Sequence, residues 1–275
     1  MRMVLVVGFL LVGSLRLVSP AWAQDPKPVD AAAPSAEELA KKLANPIASL
    51  ISVPFQSNFE FGAGQNDQGF KYTLNVQPVI PASLSEDWNL ITRVIVPVIY
   101  QDDVFPDSSQ AGLGDTVLSL FFSPKEPGPA GLIWGIGPVG LLPTATNDRL
   151  GAQKWGLGPT AVVLKQDGPW TYGALVNHIW GSEGVDSRKN VNATFLQPFL
   201  TYGLGKGLTV GASSEMTYDW IGHQWTIPVI ANVAQIVPIS GQLFQFSLGV
   251  KYYAEGPSGA PDWGIRFVVT LLFPQ

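Results

Sequence analysis

His178 and His223 are the two side chains of this 275-residue sequence best suited to general-base work near neutral pH. Ser182 follows His178 by four positions and Asp186 lies just beyond. That spacing crosses from a strand into a loop, and a triad is defined by geometry rather than by spacing. Neither histidine begins a His-x-Ser pattern of the kind membrane-embedded barrel lipases use. The absence of Cys removes thiolate nucleophiles, thiolate metal sites and disulfides. No phosphate-cradling glycine loop, metal-binding His pair or calcium-loop motif is present. The sequence therefore points away from an enzyme, and no cofactor or metal centre is expected. Asp102, Asp103 and Asp107 offer oxygen ligands for divalent cations that bridge lipopolysaccharide, although a solvated loop is the safer reading.

The remaining candidates are charged and amide side chains, and their value depends on what places them. Only 13% of residues are charged against 46% hydrophobic, which excludes a disordered tail or a coiled coil. With 16 basic and 21 acidic residues the net charge is −5, too acidic for a nucleic-acid partner. Residues 1–23 read as a secretory signal: Arg2, the apolar run Val4 to Val12, then small residues ending at Ala23, after which cleavage is expected. Beyond it no stretch reaches about 18 consecutive apolar residues, although mean hydropathy is positive. Alternating strands resolve this, because each commits every second side chain to one face.

That alternation is visible. Phe70, Tyr72, Leu74 and Val76 alternate with Lys71, Thr73, Asn75 and Gln77; Trp263, Ile265, Phe267, Val269 and Leu271 alternate with Arg266 and Thr270. About twelve such runs occur, near 55–61, 70–80, 88–100, 112–123, 131–143, 155–165, 170–181, 191–202, 208–219, 225–235, 242–253 and 263–273. Short connections alternate with longer ones around 62–69, 101–111, 144–154, 182–190 and 254–262. A sandwich has no reason for that rhythm, whereas an outer-membrane barrel has tight periplasmic turns and longer outer loops. Of the nine Trp, the eight after Ala23 fall near run ends, as in interfacial aromatic girdles. The fold class expected is thus all-β, a transmembrane antiparallel up-and-down barrel of about twelve strands over 55–275, preceded by a short helical segment. Pro78, Pro97, Pro138, Pro159, Pro198 and Pro228 lie inside the runs, and each predicts a bulge or a break in the ladder.

Residues 24–54 have a different character. Gln24 to Pro34 reads as a linker. Ser35 to Glu38 forms a capping-box sequence, and Asn45-Pro46 resembles a second helix start. The segment is expected to plug the periplasmic mouth or lie in the lumen, or to hang as a loose arm.

With the apolar face outward, the polar face lines the interior. Lys71, Arg93, Lys251 and Arg266 belong to runs that become neighbours when first and last strands pair. Asp115, Glu215 and Asp219 stand opposite, and Asn75 and Asn177 add amides. A basic arc facing acidic groups across a constriction creates a transverse field that sieves ions. Glu60 can sit across its hairpin from Lys71. Simple pairing of these charges within a small polar interior is the competing account.

The stretch from Asn45 to Gly62, followed by Tyr72-Thr73-Leu74-Asn75-Val76-Gln77-Pro78-Val79-Ile80-Pro81 and Asp87-Trp88-Asn89-Leu90-Ile91-Thr92-Arg93, resembles bacterial outer-membrane transporters of the MetA-pathway phenol-degradation type, sometimes mislabelled neuromedin U. The resemblance covers about the first third of the chain after Ala23. It implies an outer-membrane barrel of a Gram-negative bacterium, with lipid and lipopolysaccharide as surroundings and a small solute as cargo, aromatic or otherwise hydrophobic. It carries over no catalytic residues. A rival of another class is a structural barrel with a blocked lumen.

Overall fold

A computed structural model describes residues 34–274, so the signal peptide expected over 1–23 and most of the 24–34 linker lie outside the described residues. One helix, α1 (Ala36–Leu43), precedes fifteen strand segments. These are β1 (Ile51–Ala63), β2 (Gly69–Val76), β3 (Val79–Ser83), β4 (Trp88–Phe105), β5 (Ser108–Leu113), β6 (Thr116–Pro124), β7 (Leu132–Leu142) and β8 (Lys154–Asp167). They continue as β9 (Trp170–Gly184), β10 (Val191–Gly205), β11 (Leu208–Ser214), β12 (Met216–Asp219), β13 (Gln224–Ile239), β14 (Gln242–Glu255) and β15 (Trp263–Phe273). The pairs β2/β3, β5/β6 and β11/β12 are each one stave of the wall with an interruption, so the segments make twelve staves. Every stave runs antiparallel to its chain neighbours, and β1 closes on β15 from Ile51↔Phe273 to Phe61↔Trp263. The result is the expected twelve-strand antiparallel barrel.

Side chains follow the period of two. On β15 Gly264, Arg266, Thr270 and Leu272 are buried, while Ile265, Phe267 and Phe273 are exposed. Outward residues remain open to the surroundings all round the wall, as at Leu157 (66% exposed) and Val250 (62%). Trp88, Trp155, Trp170, Trp180, Trp220, Trp225 and Trp263 are exposed at or near strand ends. Trp134 is half-buried, edge-on to Trp88 at 5.9 Å.

The six prolines coincide with irregularities in the ladder. Pro78 separates β2 from β3. Pro97 faces the gap between β5 and β6, where the Gly114 amide donates to its carbonyl at 2.9 Å. Pro138 and Pro159 face each other, and pairing lapses on both flanks, between Ser119↔Val139 and Phe122↔Ile136 and between Leu157↔Trp180 and Thr160↔Asn177. Pro198 and Pro228 flank the β11/β12 interruption from either side, and Pro228 also marks a register shift against β14.

Two boundaries differ from expectation. The 101–111 connection is not a long loop: β4 continues to Phe105 and β5 returns from Ser108, with Asp107 taking a positive φ of 53° at the tip. The second helix start at Asn45-Pro46 makes only a turn, because the Asn45 side chain accepts the Ile47 amide at 3.0 Å and the chain then extends into β1 at Ile51.

The N-terminal segment is docked at the end of the barrel that carries the short turns. Ser35 and Glu38 form a reciprocal capping box. The Ser35 hydrogen bonds hold the Glu38 carboxyl below its ordinary range, so its part of the cap is in place above that range and is lost as pH falls through it. Leu39 and Ala40 are buried with Leu50, Ile236 and Leu272, and Gln166 donates to the Lys41 carbonyl at 2.7 Å. Ile47 reaches further in, against Ile91, Phe121, Val162, Leu164 and Leu175. The interior is therefore apolar near this mouth rather than polar throughout. Each buried large side chain stabilises docking by about 1.5–3 kcal/mol. Truncation of the anchors, Leu39→Ala with Leu50→Ala, should expose the Lys41-Lys42 bonds to trypsin while the barrel keeps its heat-modifiable gel mobility. Cleavage no faster than in the parent protein would contradict the docked arrangement.

Candidate functional site

Four of the inward charges meet in two ion pairs, Glu60 with Lys251 and Glu215 with Arg266. Glu60 and Lys71 are direct register partners across the β1–β2 hairpin, yet the Glu60 carboxylate goes the other way. Its β15 neighbour is Gly264, and a Cβ there would lie 3.3 Å from the Glu60 Cγ. Without that side chain the carboxylate passes over β15 and accepts from Lys251 Nζ on β14 at 2.7 Å. The Tyr253 hydroxyl donates to the same carboxylate oxygen.

Arg266 makes the longer crossing. Its Nε donates to Asn58 Oδ1 at 2.7 Å on the adjacent stave, while Nη1 and Nη2 donate to the two Glu215 oxygens at 2.7 and 2.8 Å. Glu215 lies in the β11/β12 interruption between Pro198 and Pro228, and its amide donates to the Pro228 carbonyl at 3.3 Å. The bidentate fork thus ties β15 to a stave that is separated from it by β13 and β14. Arg93 Nη2 donates to Gln77 Oε1 at 2.9 Å, Gln77 being the residue beside the Pro78 break.

The other expected residues take different places. Asn75 stands opposite Gln56 and Pro97, and Asn177 opposite Thr160 and Phe195, both half-buried. Lys71 forms neither of the two ion pairs found among the described residues. Asp115 does not join the charged cluster. It sits in the β5/β6 interruption and accepts backbone amides from Ala145 (3.1 Å), Ala152 (2.6 Å) and Gln153 (2.9 Å), pinning the 143–153 loop. Asp219, at the exposed end of β12, accepts the Ile221 amide at 2.9 Å and shapes the outer turn. Both carboxylates serve loops because nearby backbone amides without strand partners donate to them in place of a distant cation.

Parity along β14 marks Tyr253 as inward, two residues after Lys251, but the charge pattern alone overlooks it. Lys154 is also missed: it begins β8 one residue before the expected start, is buried, and donates to the Ser182 carbonyl at 3.0 Å. Between the charged cluster and the N-terminal segment lies a cavity of about 300 Å³. Its lining includes the polar side chains of Arg93, Gln77, Gln56 and Asn232 and the apolar ones of Phe199 and Leu175, and Lys42, Asn45 and Leu50 border it from the N-terminal segment.

The histidine candidate resolves differently. His178 Nδ1 lies 2.7 Å from the Thr194 hydroxyl, which also receives the Trp220 indole N–H at 2.8 Å, and its ring lies 4.1 Å from Trp180. The hydroxyl accepts from the indole, and the imidazole tautomer sets which of Nδ1 and the hydroxyl donates in the other contact. Ser182 is not its hydrogen-bond partner. Among the described residues no group of three or more His, Asp or Glu side chains is arranged to hold a metal ion.

No protein-family model matches the sequence, and no curated protein does. Solved structures do match. The COG4313 outer membrane channel from Pseudomonas putida F1 superposes with a TM-score of 0.63 at 15% identity, over 82% of this chain and 94% of that one. The NanC porin gives 0.49 at 8% identity, over 81% of this chain and 100% of its own. Outer membrane phospholipase A from Escherichia coli gives 0.42 at 14%, over 88% and 99%. The first of these shares the fold of this chain; identity this low carries nothing finer.

Breaking one partner of a buried pair leaves an uncompensated charge, typically at a cost of about 3–5 kcal/mol. The Glu215 side chain is 23% exposed, so Glu215→Gln should destabilise the barrel by part of that amount, whereas Glu215→Met combined with Arg266→Met should cost far less. Urea unfolding in lipid micelles reads both. Equal losses would mean the charges are solvated rather than paired.

Proposed function

We propose that this protein is a channel of the bacterial outer membrane that passively admits small molecules. The observation that carries the reading is the division of the barrel wall: large apolar side chains are exposed round the outside while charged and amide groups converge on an internal cavity. Exposed aliphatic and aromatic surface on that scale needs a hydrocarbon surround, and a closed barrel meets its backbone requirement there. Outer-membrane lipid and lipopolysaccharide then become its surroundings, in keeping with the secretory signal read from the sequence. The similarity in fold to the Pseudomonas putida channel supports the reading without fixing the cargo.

The resemblance to phenol-degradation transporters favours an aromatic or otherwise hydrophobic solute. The mixed lining of the cavity, with Arg93 and amides as well as Phe199 and Leu175, accommodates a ring that bears a polar group. Purified protein in planar bilayers is expected to give discrete conductance steps and to admit small solutes into liposomes. Absence of both current and uptake would overturn the channel reading in favour of a blocked structural barrel.

Selectivity follows from charge. Lys71, Arg93, Lys251 and Arg266 outnumber Glu60 and Glu215 on the inner face near the two ion pairs, so the lumen favours anions. Lys71, which lies outside both pairs, is the position for a clean test. Lys71→Glu should move the reversal potential in a salt gradient toward cations, and an unmoved potential would remove the selectivity role.

A second reading, a lipid-facing hydrolase, has one observation in its favour, the His178–Thr194 contact at 2.7 Å. The Trp220 N–H on the same hydroxyl opposes it, because a donor to the oxygen lowers its nucleophilicity. A fluorophosphonate probe is expected to leave the protein unlabelled; labelling lost in Thr194→Ala would favour the hydrolase.

A further inference from the structure

The cavity above the N-terminal segment has an unbalanced lining. Arg93 is half-buried inside the barrel, and the hydrogen bond it makes to a side chain goes to the neutral amide of Gln77 at 2.9 Å. Glu215 has both oxygens committed to Arg266. Lys42 adds a second cation at the edge, and none of the residues lining the cavity is Asp or Glu. A half-buried guanidinium that forms neither of the ion pairs found among the described residues gains from an entering anion. Around it the amides of Gln56, Gln77, Gln197 and Asn232 supply donors as well as acceptors. Phe199 and Leu175 supply an apolar wall that an inorganic ion would leave unused.

We propose that this cavity is a binding site for small monocarboxylates with an apolar or aromatic body, the carboxylate on Arg93 and the body against Phe199 and Leu175. The proposal rests on the channel reading for its route of entry and deepens it by naming the solute class. The volume of about 300 Å³ is at the small end of ligand pockets, which limits the occupant to about one ring and a short chain. The fork geometry of Arg matches a carboxylate with two parallel N–H···O bonds, a match that Lys cannot reproduce. Because Lys42, Asn45 and Leu50 border the same cavity, an occupant rests directly on the docked N-terminal segment.

Equilibrium dialysis of the full chain in detergent micelles tests this with three probes: benzoate, its uncharged counterpart benzamide, and acetate, which lacks the ring. Benzoate should bind at least tenfold more tightly than either, and Arg93→Gln should weaken benzoate at least tenfold while leaving benzamide unchanged. Benzamide binding as well as benzoate would remove the charge from the argument, and acetate doing so would remove the wall. If Arg93→Gln lacks the heat-modifiable folded form, the three-probe comparison on the parent protein decides alone. Bilayer current is scored separately: current without benzoate preference defeats the site and leaves the channel, whereas benzoate preference without current defeats the channel and leaves the site.

Discussion

A wall that faces hydrocarbon must satisfy every backbone N–H and C=O from within, and closure of the last strand on the first is what achieves it here. Each in-strand proline subtracts one donor from that account. At Pro78, Pro97, Pro138, Pro159, Pro198 and Pro228 the ladder is interrupted or offset, and the carbonyls of three of them find other donors: Val94 for Pro78, Gly114 for Pro97, and Ser214 Oγ and the Glu215 amide for Pro228. The prolines therefore set where the wall departs from regular alternation.

Those departures are where the polar chemistry gathers. Gln77, Asp115 and Glu215 each occupy one of the three interruptions that split a stave. Freed from the strict period of two, Glu215 meets Arg266, Gln77 meets Arg93, and Asp115 turns to the outer loop. The Arg266–Glu215 fork then braces one side of the lumen against another, and the cavity is what remains between that brace and the docked N-terminal segment. Backbone chemistry, the ion pairs and the shape of the interior are thus one connected arrangement.

Much of this architecture is legible in the sequence because period-two patterning is a local property. The runs of β14 and β15 assign Lys251 and Arg266 inward with no knowledge of the fold, and the prolines announce breaks. Partners are not legible in the same way. Glu60 has Lys71 as its register neighbour, and only the missing side chain at Gly264, one stave over, redirects it to Lys251. Asp115 and Asp219 carry the same charge as Glu215, but backbone amides of loops far away in sequence claim the first and a local turn the second. The apolar patch around Ile47 escapes pattern reading because Val162, Leu164 and Leu175 sit on the inner face, where alternation alone expects polarity.

The central claim is that odd and even positions of a stave see different solvents. The chain has no cysteine, so single Cys residues can be placed freely. A scan across residues 265–269 of β15 in liposomes, read by quenching from brominated lipid tails and by a membrane-impermeant maleimide, measures it most directly. The account predicts lipid quenching at positions 265, 267 and 269 and aqueous labelling at 266 and 268. Uniform labelling, or quenching without alternation, would contradict it.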